Sequence, residues 1–150
     1  MFAPKKILVP IDFSKFSEIA LKQAYDIAIQ YKAKIYLLHV IDVIQICAGE
    51  YCFDERMVVE LEKRIIQSSE EMMQKLIEKV IKSKDVKIIS KVVKGTPYEA
   101  ILKEQQSKKA DLIVIASHGR TGLIGHLMGS VAEKVARGAT CPVLLVKNKI

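Results

Sequence analysis

The chain is 150 residues long, half of them apolar and 27% charged, with a formal net charge of +7. That length builds one core with little left for a second, so a single domain over residues 1–150 is expected. The composition excludes a disordered chain, and no apolar run approaches the roughly 18 residues of a membrane span. The lysines are scattered, no basic block is interleaved with aromatics, and tryptophan is absent. This pattern argues against nucleic acid as a partner and for a solvated lysine-rich surface, which would also attract a polyanion. The first residues carry no apolar leader segment, so a cytoplasmic protein is expected. Cys47, Cys52 and Cys141 lack the second Cys/His pair of a zinc site and read as small apolar residues of a reduced compartment.

Five short apolar runs alternate with helical patterns. Residues 7–11 form the first expected strand. Residues 17–31 follow as a helix, with Ile19, Ala20, Ala24, Ile27, Ala28 and Tyr31 on one face. Residues 35–40 are the second strand. Residues 41–53, with Gly49, make the longest loop, of a length that is often functional. Residues 55–82 read as a long amphipathic helix, with Val58, Leu61, Ile65, Met72, Leu76 and Val80 at near-helical spacing. In the third strand, residues 86–93, Lys87, Ser90 and Lys91 interrupt the alternation, as at a sheet edge. Thr96-Pro97-Tyr98-Glu99 opens the next helix, with Thr96 as N-cap, Pro97 in the first helical position and Glu99 in the reciprocal capping contact. It runs to about residue 108. Residues 111–115 are the fourth strand. Ser130 and Glu133 repeat the capping pattern, Gly138 is placed to end that helix, and residues 142–146 are the fifth strand. Nearly all-apolar strands separated by single helices predict an α/β fold with a parallel sheet covered on both faces.

In such sheets ligands bind beyond the carboxyl ends of the strands, where connections diverge to opposite faces. Pro10, Ile11 and Asp12 stand at the first such end, Val40 beside Asp42 at the second, and Ala116 to Gly119 at the fourth. After the fourth strand come Gly119, Gly122, Gly125 and Gly129, then the helix start at Ser130. A strand, a glycine-rich turn and a helix N-terminus make an anion site, and a nucleotide phosphate chain is expected there. Ser130 has a hydroxyl for a phosphate oxygen, for the helix cap, or for both. Val40 and Ile115 offer an apolar surface to adenine. Asp12 reads equally as an acceptor for ribose or base and as a turn residue before Ser14.

Other chemistries lack support. No G-x-x-x-x-G-K-[ST] loop is present, and no G-x-G-x-x-G follows the first strand. Asp12 and Asp42 could belong to a phosphoacceptor receiver, but Lys94-Gly95 stands where a third acid is needed. Ser117-His118 lacks a nucleophile elbow and an orienting acid. His39, His118 and His126 have no metal-ligand spacing.

Ile7-Leu8-Val9-Pro10-Ile11-Asp12, Gly95-Thr96-Pro97, Ala116-Ser117-His118-Gly119-Arg120-Thr121-Gly122, Gly129-Ser130-Val131 and Cys141-Pro142-Val143 together resemble the universal stress protein family, in collinear order over nearly the whole chain. The resemblance implies a three-layer sandwich around a five-stranded parallel sheet of order 3-2-1-4-5. It also implies a homodimer paired through the last strand, Val143–Val146, which would otherwise be an uncovered apolar edge. The family's nucleotide binders carry G-x2-G-x9-G-[ST]. Here Gly119, Gly129 and Ser130 match its later elements, and Ala116 stands in the first position. By resemblance Asp12 and Val40 hold adenosine, while Ala116, His118 and Gly119 line the ribose and phosphate side. Gly129, Ser130 and Val131 cradle the phosphates, with Arg120 near enough to assist. ATP, or AMP or ADP, is the expected ligand, with Mg²⁺ accompanying ATP. The expected role is a stress-response or signalling regulator with an unidentified downstream protein. Two alternatives are a non-binding interaction module and a weak ATPase or self-phosphorylating protein with Ser130 or Thr121 as acceptor. Hydrolysis would be slow, because no general base or arginine finger is evident.

Overall fold

The computed structural model describes residues 1–42, 54–119 and 128–147. Within them the strands are β1 (Lys6–Ile11), β2 (Lys34–Ile41), β3 (Ile88–Lys94), β4 (Leu112–Ala116) and β5 (Val143–Val146). The helices are α1 (Lys15–Tyr31), α2 (Glu55–Val80), α3 (Pro97–Lys108) and α4 (Ser130–Gly138). The sheet has the order β3-β2-β1-β4-β5, and every neighbouring pair is parallel. It is the expected sandwich. The expected loop at 41–53 falls almost entirely outside the described residues, as do Arg120, Thr121, Gly122, Gly125 and His126.

The two layers follow from the alternation of side chains along strands that are apolar throughout. Ile7, Val9 and Ile11 of β1 face the same side as Ile35, Leu37, Leu112 and Val114, and pack under α1 and α2. Leu8, Leu38, Ile113 and Ile115 face the other side, against Ile101 of α3 and Ala132 and Val135 of α4. Ala20, Ala24 and Ala28 recur every four residues on the buried face of α1, and their small size lets that helix lie close on the sheet. β3 is an edge, exposed over Ile89, Ser90 and Lys91. It is clipped from both sides by Lys91–Glu104 at 3.0 Å and Lys94–Glu62 at 2.8 Å.

Pairing within the sheet is uneven. β1 runs in register with β2 from Lys6↔Lys34 to Ile11↔His39. Its register with β4 covers Ile7↔Leu112 and Leu8↔Ile113. The Lys5 carbonyl serves β2 and the Lys6 carbonyl the start of β4, so backbone polar groups at even-numbered positions of β1 point toward β4. Pro10 is the next even position after Leu8 and has no amide hydrogen. The ladder between β1 and β4 therefore lacks a donor just below the carboxyl end of β1.

Glu18 on α1 joins two cations, Lys79 of α2 at 2.8 Å and Lys22 at 3.0 Å. Hydrogen bonds from Lys79, then Lys22, hold its carboxyl below the usual carboxylate range. A carboxyl lowered by folding stabilises the native state above its unfolded value, and that contribution is lost as the pH falls through the lowered one. Glu18→Gln is therefore expected to cost about 0.5–1 kcal/mol at pH 7. In denaturant titrations repeated across pH, the difference from the parent should begin to shrink as the pH falls into the ordinary carboxylate range and vanish only below the lowered value of Glu18. A penalty that persists at low pH would show that packing, not charge, is responsible.

Candidate functional site

The carboxyl ends of β1, β2 and β4 open into a cleft of about 530 Å³. It lies at the switch point, where the chain leaves β1 for α1 on one face and β4 for α4 on the other. Pro10, Ile11 and Asp12 enter its wall from β1, and Val40 from β2. Ile115, Ala116, His118 and Gly119 enter from the exit of β4, and Gly129, Ser130 and Val131 from the start of α4. Eleven of the twelve residues named from the sequence are thus brought together; Arg120 lies outside the described residues.

The cleft wraps over the end of the sheet. On the α3/α4 side it is an apolar slot, where Leu38, Pro97, Ile101 and Ala132 join Val40, Ile115 and Val131. These four were not anticipated, although two carried a signal. Leu38 shares a face with Val40, two residues on. Ile101 lies one turn beyond Pro97, at the helical spacing of four. On the α1/α2 side the wall is Phe13, His39, Ile65, Ser69 and Met72. His39, within the expected second strand, is buried but also lines the cleft.

Asp12 is set by its own turn. Its Oδ1 accepts from the Ser14 amide at 2.9 Å, and Ser14 Oγ in turn caps α1 by accepting from the Ser17 amide at 3.1 Å. This is the turn reading of Asp12, and it fixes the carboxylate rather than removing it from the cleft. The turn forces Phe13 to φ 63°, a left-handed conformation that a bulky residue adopts only under constraint. In return the Phe13 ring lies 4.4 Å from the His39 ring, whose Nδ1 is 2.9 Å from the Ile11 carbonyl.

The glycines are close-approach positions. A Cβ on Gly119 would stand 2.9 Å from Asp12 Oδ2, an atom its turn does not let drift far. A Cβ on Gly129 would stand 3.3 Å from the Ser117 carbonyl oxygen, to which the Gly129 amide donates at 2.6 Å. The α4 N-terminus is thereby drawn against the β4 exit.

The capping expectation for that helix is corrected. Gly129, in extended conformation with ψ 153°, is the N-cap; Ser130 is the first helical residue, and no side chain caps the turn. The first intrahelical bond is Glu133 N–H to Gly129 O at 2.9 Å, which leaves the amides of Ser130, Val131 and Ala132 ahead of it. Glu133 instead pairs with Arg137 at 3.1 Å. At α3 Thr96 is the N-cap by backbone and Pro97 follows, but Thr96 makes no side-chain cap bond and Glu99 accepts from the Tyr98 hydroxyl. α3 and α4 thus start without side-chain caps, and the α4 start, in the cleft wall, keeps backbone donors with no intrahelical partner and about half a positive charge from its dipole.

Ala116 is in strand conformation and is not among the positive-φ residues. Its methyl costs no backbone strain and packs with the α1/α2 core. Ser117 is buried and bonded to the neighbouring His118, so its hydroxyl is not presented as a nucleophile. No group of three or more His, Cys, Asp or Glu able to hold a metal occurs among the described residues. Cys141 lies away from the cleft walls, and burial, with Asp111 nearby, pushes its thiol up. No described helix is long and apolar enough to cross a membrane.

The sequence matches the Universal stress protein family over residues 4–147. Universal stress protein MJ0531 of Methanocaldococcus jannaschii is 38% identical over 144 residues, covering 96% of this chain and 82% of the relative. Universal stress protein MJ0577 of the same organism is 35% identical over 156 residues, covering 97% and 96%. The solved structure of MJ0577 matches with a TM-score of 0.86 at 34% identity, over 99% of each chain. A universal stress protein solved in complex with cAMP shares the fold at TM-score 0.62 and 23% identity, over 97% of this chain and 98% of that one.

Proposed function

The chain belongs to the universal stress protein family, and from that premise we propose that it binds an adenine nucleotide, ATP in the first instance, as a dimeric stress-response regulator. The observation that carries this reading is the uncapped start of α4. Three backbone donors at that start share one cleft with an apolar slot and the Asp12 carboxylate. Phosphates suit the amides of Ser130, Val131 and Ala132, and Ser130 has an exposed hydroxyl to add. The slot of Leu38, Val40, Ile101, Ile115 and Val131 suits a flat apolar base, and Asp12 suits a hydroxyl or amino donor on the ligand. With no acidic cluster among the described residues, Mg²⁺ would be held by the phosphates and water, as that ion commonly is. The dimer is proposed through β5, an edge strand of four apolar residues.

The test is direct. Small molecules released by denaturing freshly purified protein should include an adenine nucleotide by mass spectrometry, and ATP with Mg²⁺ should raise Tm. AMP and cAMP belong in the same titration, because a cAMP complex of this fold exists. No shift with any of them at millimolar concentration would overturn the proposal. Incubation with γ-labelled ATP checks that the chain gains no phosphate, as a pure sensor requires.

A further inference from the structure

Lysines that lie far apart in the sequence are gathered by the fold at the amino-terminal ends of the strands, the end of the sheet opposite the cleft. Lys6 and Lys34 are paired positions of β1 and β2. Lys87, one position ahead of β3, continues the row, since Ile35 pairs with Ile88 and the Ile35 amide donates to the Lys87 carbonyl at 2.9 Å. Lys5 precedes β1, and Lys32 and Lys109 are the left-handed C-caps of α1 and α3. Five of the six are exposed and Lys6 is half-buried.

Neighbouring strands stand about 4.8 Å apart, so the roots of Lys6, Lys34 and Lys87 are close and their charges repel. Two of the cations also serve helix ends, which carry partial negative charge. Lys5 Nζ donates to the Tyr31 carbonyl at 2.9 Å, and Lys6 Nζ to the Lys108 carbonyl at 3.2 Å. Among the described residues none of the six forms an ion pair. Carboxylates at this end are engaged elsewhere: Asp111 accepts from the Lys5 and Lys6 amides at 3.1 Å, and Asp85 from the Ser83 hydroxyl at 2.8 Å. A fold that tolerates this repulsion without an internal acid presents a surface to a polyanion. Phe2, 53% exposed, lies three residues ahead of Lys5 and so within about 11 Å of it. An apolar ring beside a lysine face is the combination that holds a protein at the interface of an anionic membrane. The six include no arginine fork for bidentate contacts to nucleic-acid phosphates.

We propose that this end of the sheet docks on an anionic lipid bilayer. The lysines meet the headgroups, Phe2 enters the interfacial layer, and the cleft, about 20 Å away along the six residues of β1, faces water. Docking at this end does not require that the cleft bind a nucleotide.

Vesicle flotation checks it. The full chain is expected to float with vesicles of mixed phosphatidylcholine and phosphatidylglycerol, not with phosphatidylcholine alone, and to be released as added salt shortens the screening length. Lys34→Gln with Lys87→Gln should weaken partitioning roughly thirtyfold, about fivefold for each lysine. Lys15→Gln with Lys63→Gln removes the same charge at the cleft end, where Lys15 opens α1 and Lys63 lies two residues before Ile65, and should weaken it by less than about twofold. Phe2→Ser should weaken it roughly fivefold and leave the salt dependence unchanged. Every substituted position is exposed, so the variants should keep the parental Tm. No partitioning of the parent onto anionic vesicles, an equal loss in both lysine pairs, or an unchanged affinity in Phe2→Ser overturns the proposal. So does capture of single-stranded RNA or polyglutamate in place of vesicles, which would assign the surface to a different polyanion.

Discussion

Gly129→Val is expected to abolish the rise in Tm produced by ATP. At ATP one hundredfold above Kd, binding adds about 2.7 kcal/mol of stability, which for a chain of this size is a rise of roughly 5–10 °C. Gly129 has φ −70° and ψ 153°, which valine adopts without strain, so the effect is one of space. The first added carbon would already stand 3.3 Å from the Ser117 carbonyl oxygen and 3.6 Å from His118 Cα. The two further methyls of valine must push α4 away from the β4 exit or turn into the space where the phosphates are proposed. Either outcome removes the convergence of the Ser130, Val131 and Ala132 amides on the ligand. The ligand-free variant should also lose about 1–3 kcal/mol through overpacking. Gly129→Ala is the milder companion, expected to fold and to keep only part of the shift. A valine variant that folds and retains the whole shift would show that the ligand does not lie against this turn.

Leu144→Lys is expected to convert a dimer into monomers, as measured by light scattering over a concentration series. β5 is bonded on one side only, from Ile113↔Val143 to Ala116↔Val146. Its residues carry no charge, and Leu144 is 37% exposed. A short, uncharged, apolar edge invites strand pairing, and lysine is the residue that most often blunts such edges. Two copies related by a two-fold axis would bring the new charges toward each other, where like charges destabilise pairing. The fold itself should change little, since the substituted side chain is already partly in water. A parent protein that is monomeric at 100 Kd of ATP, or a lysine variant that still dimerises, would place the contact elsewhere.

The central strands could be anticipated because β1 from Ile7 onward and all of β4 are apolar and buried, whereas the order of the strands came from the family resemblance. The limits of α2 are less faithful to its sequence. Its apolar spacing identifies a helix, yet Leu61 and Met72, both assigned to the inward face, are 41% and 43% exposed. Periodicity reveals which residues share a face, not what covers it. The helix start at Ser130 was misassigned as a cap for a similar reason. A serine three residues before a glutamate is a local signal, whereas the conformation of Gly129 is set by its bond to Ser117, a contact across the glycine loop. Val40, Ile115 and the glycines could be placed at the cleft from strand ends alone. Phe13, Ser69 and Met72 could not, because their places depend on a left-handed residue after Asp12 and on the packing of a helix more than fifty residues further along.

Proline at position 10 has one more effect. A hydrogen is missing from the chain itself at the rung where β1 and β4 would next be laced, and a covalent omission does not come and go with temperature or ligand. The parting of β1 from β4 is thus a standing property of the folded molecule. A guest meets strand ends that are already unlaced and spends little free energy on rearranging the sheet.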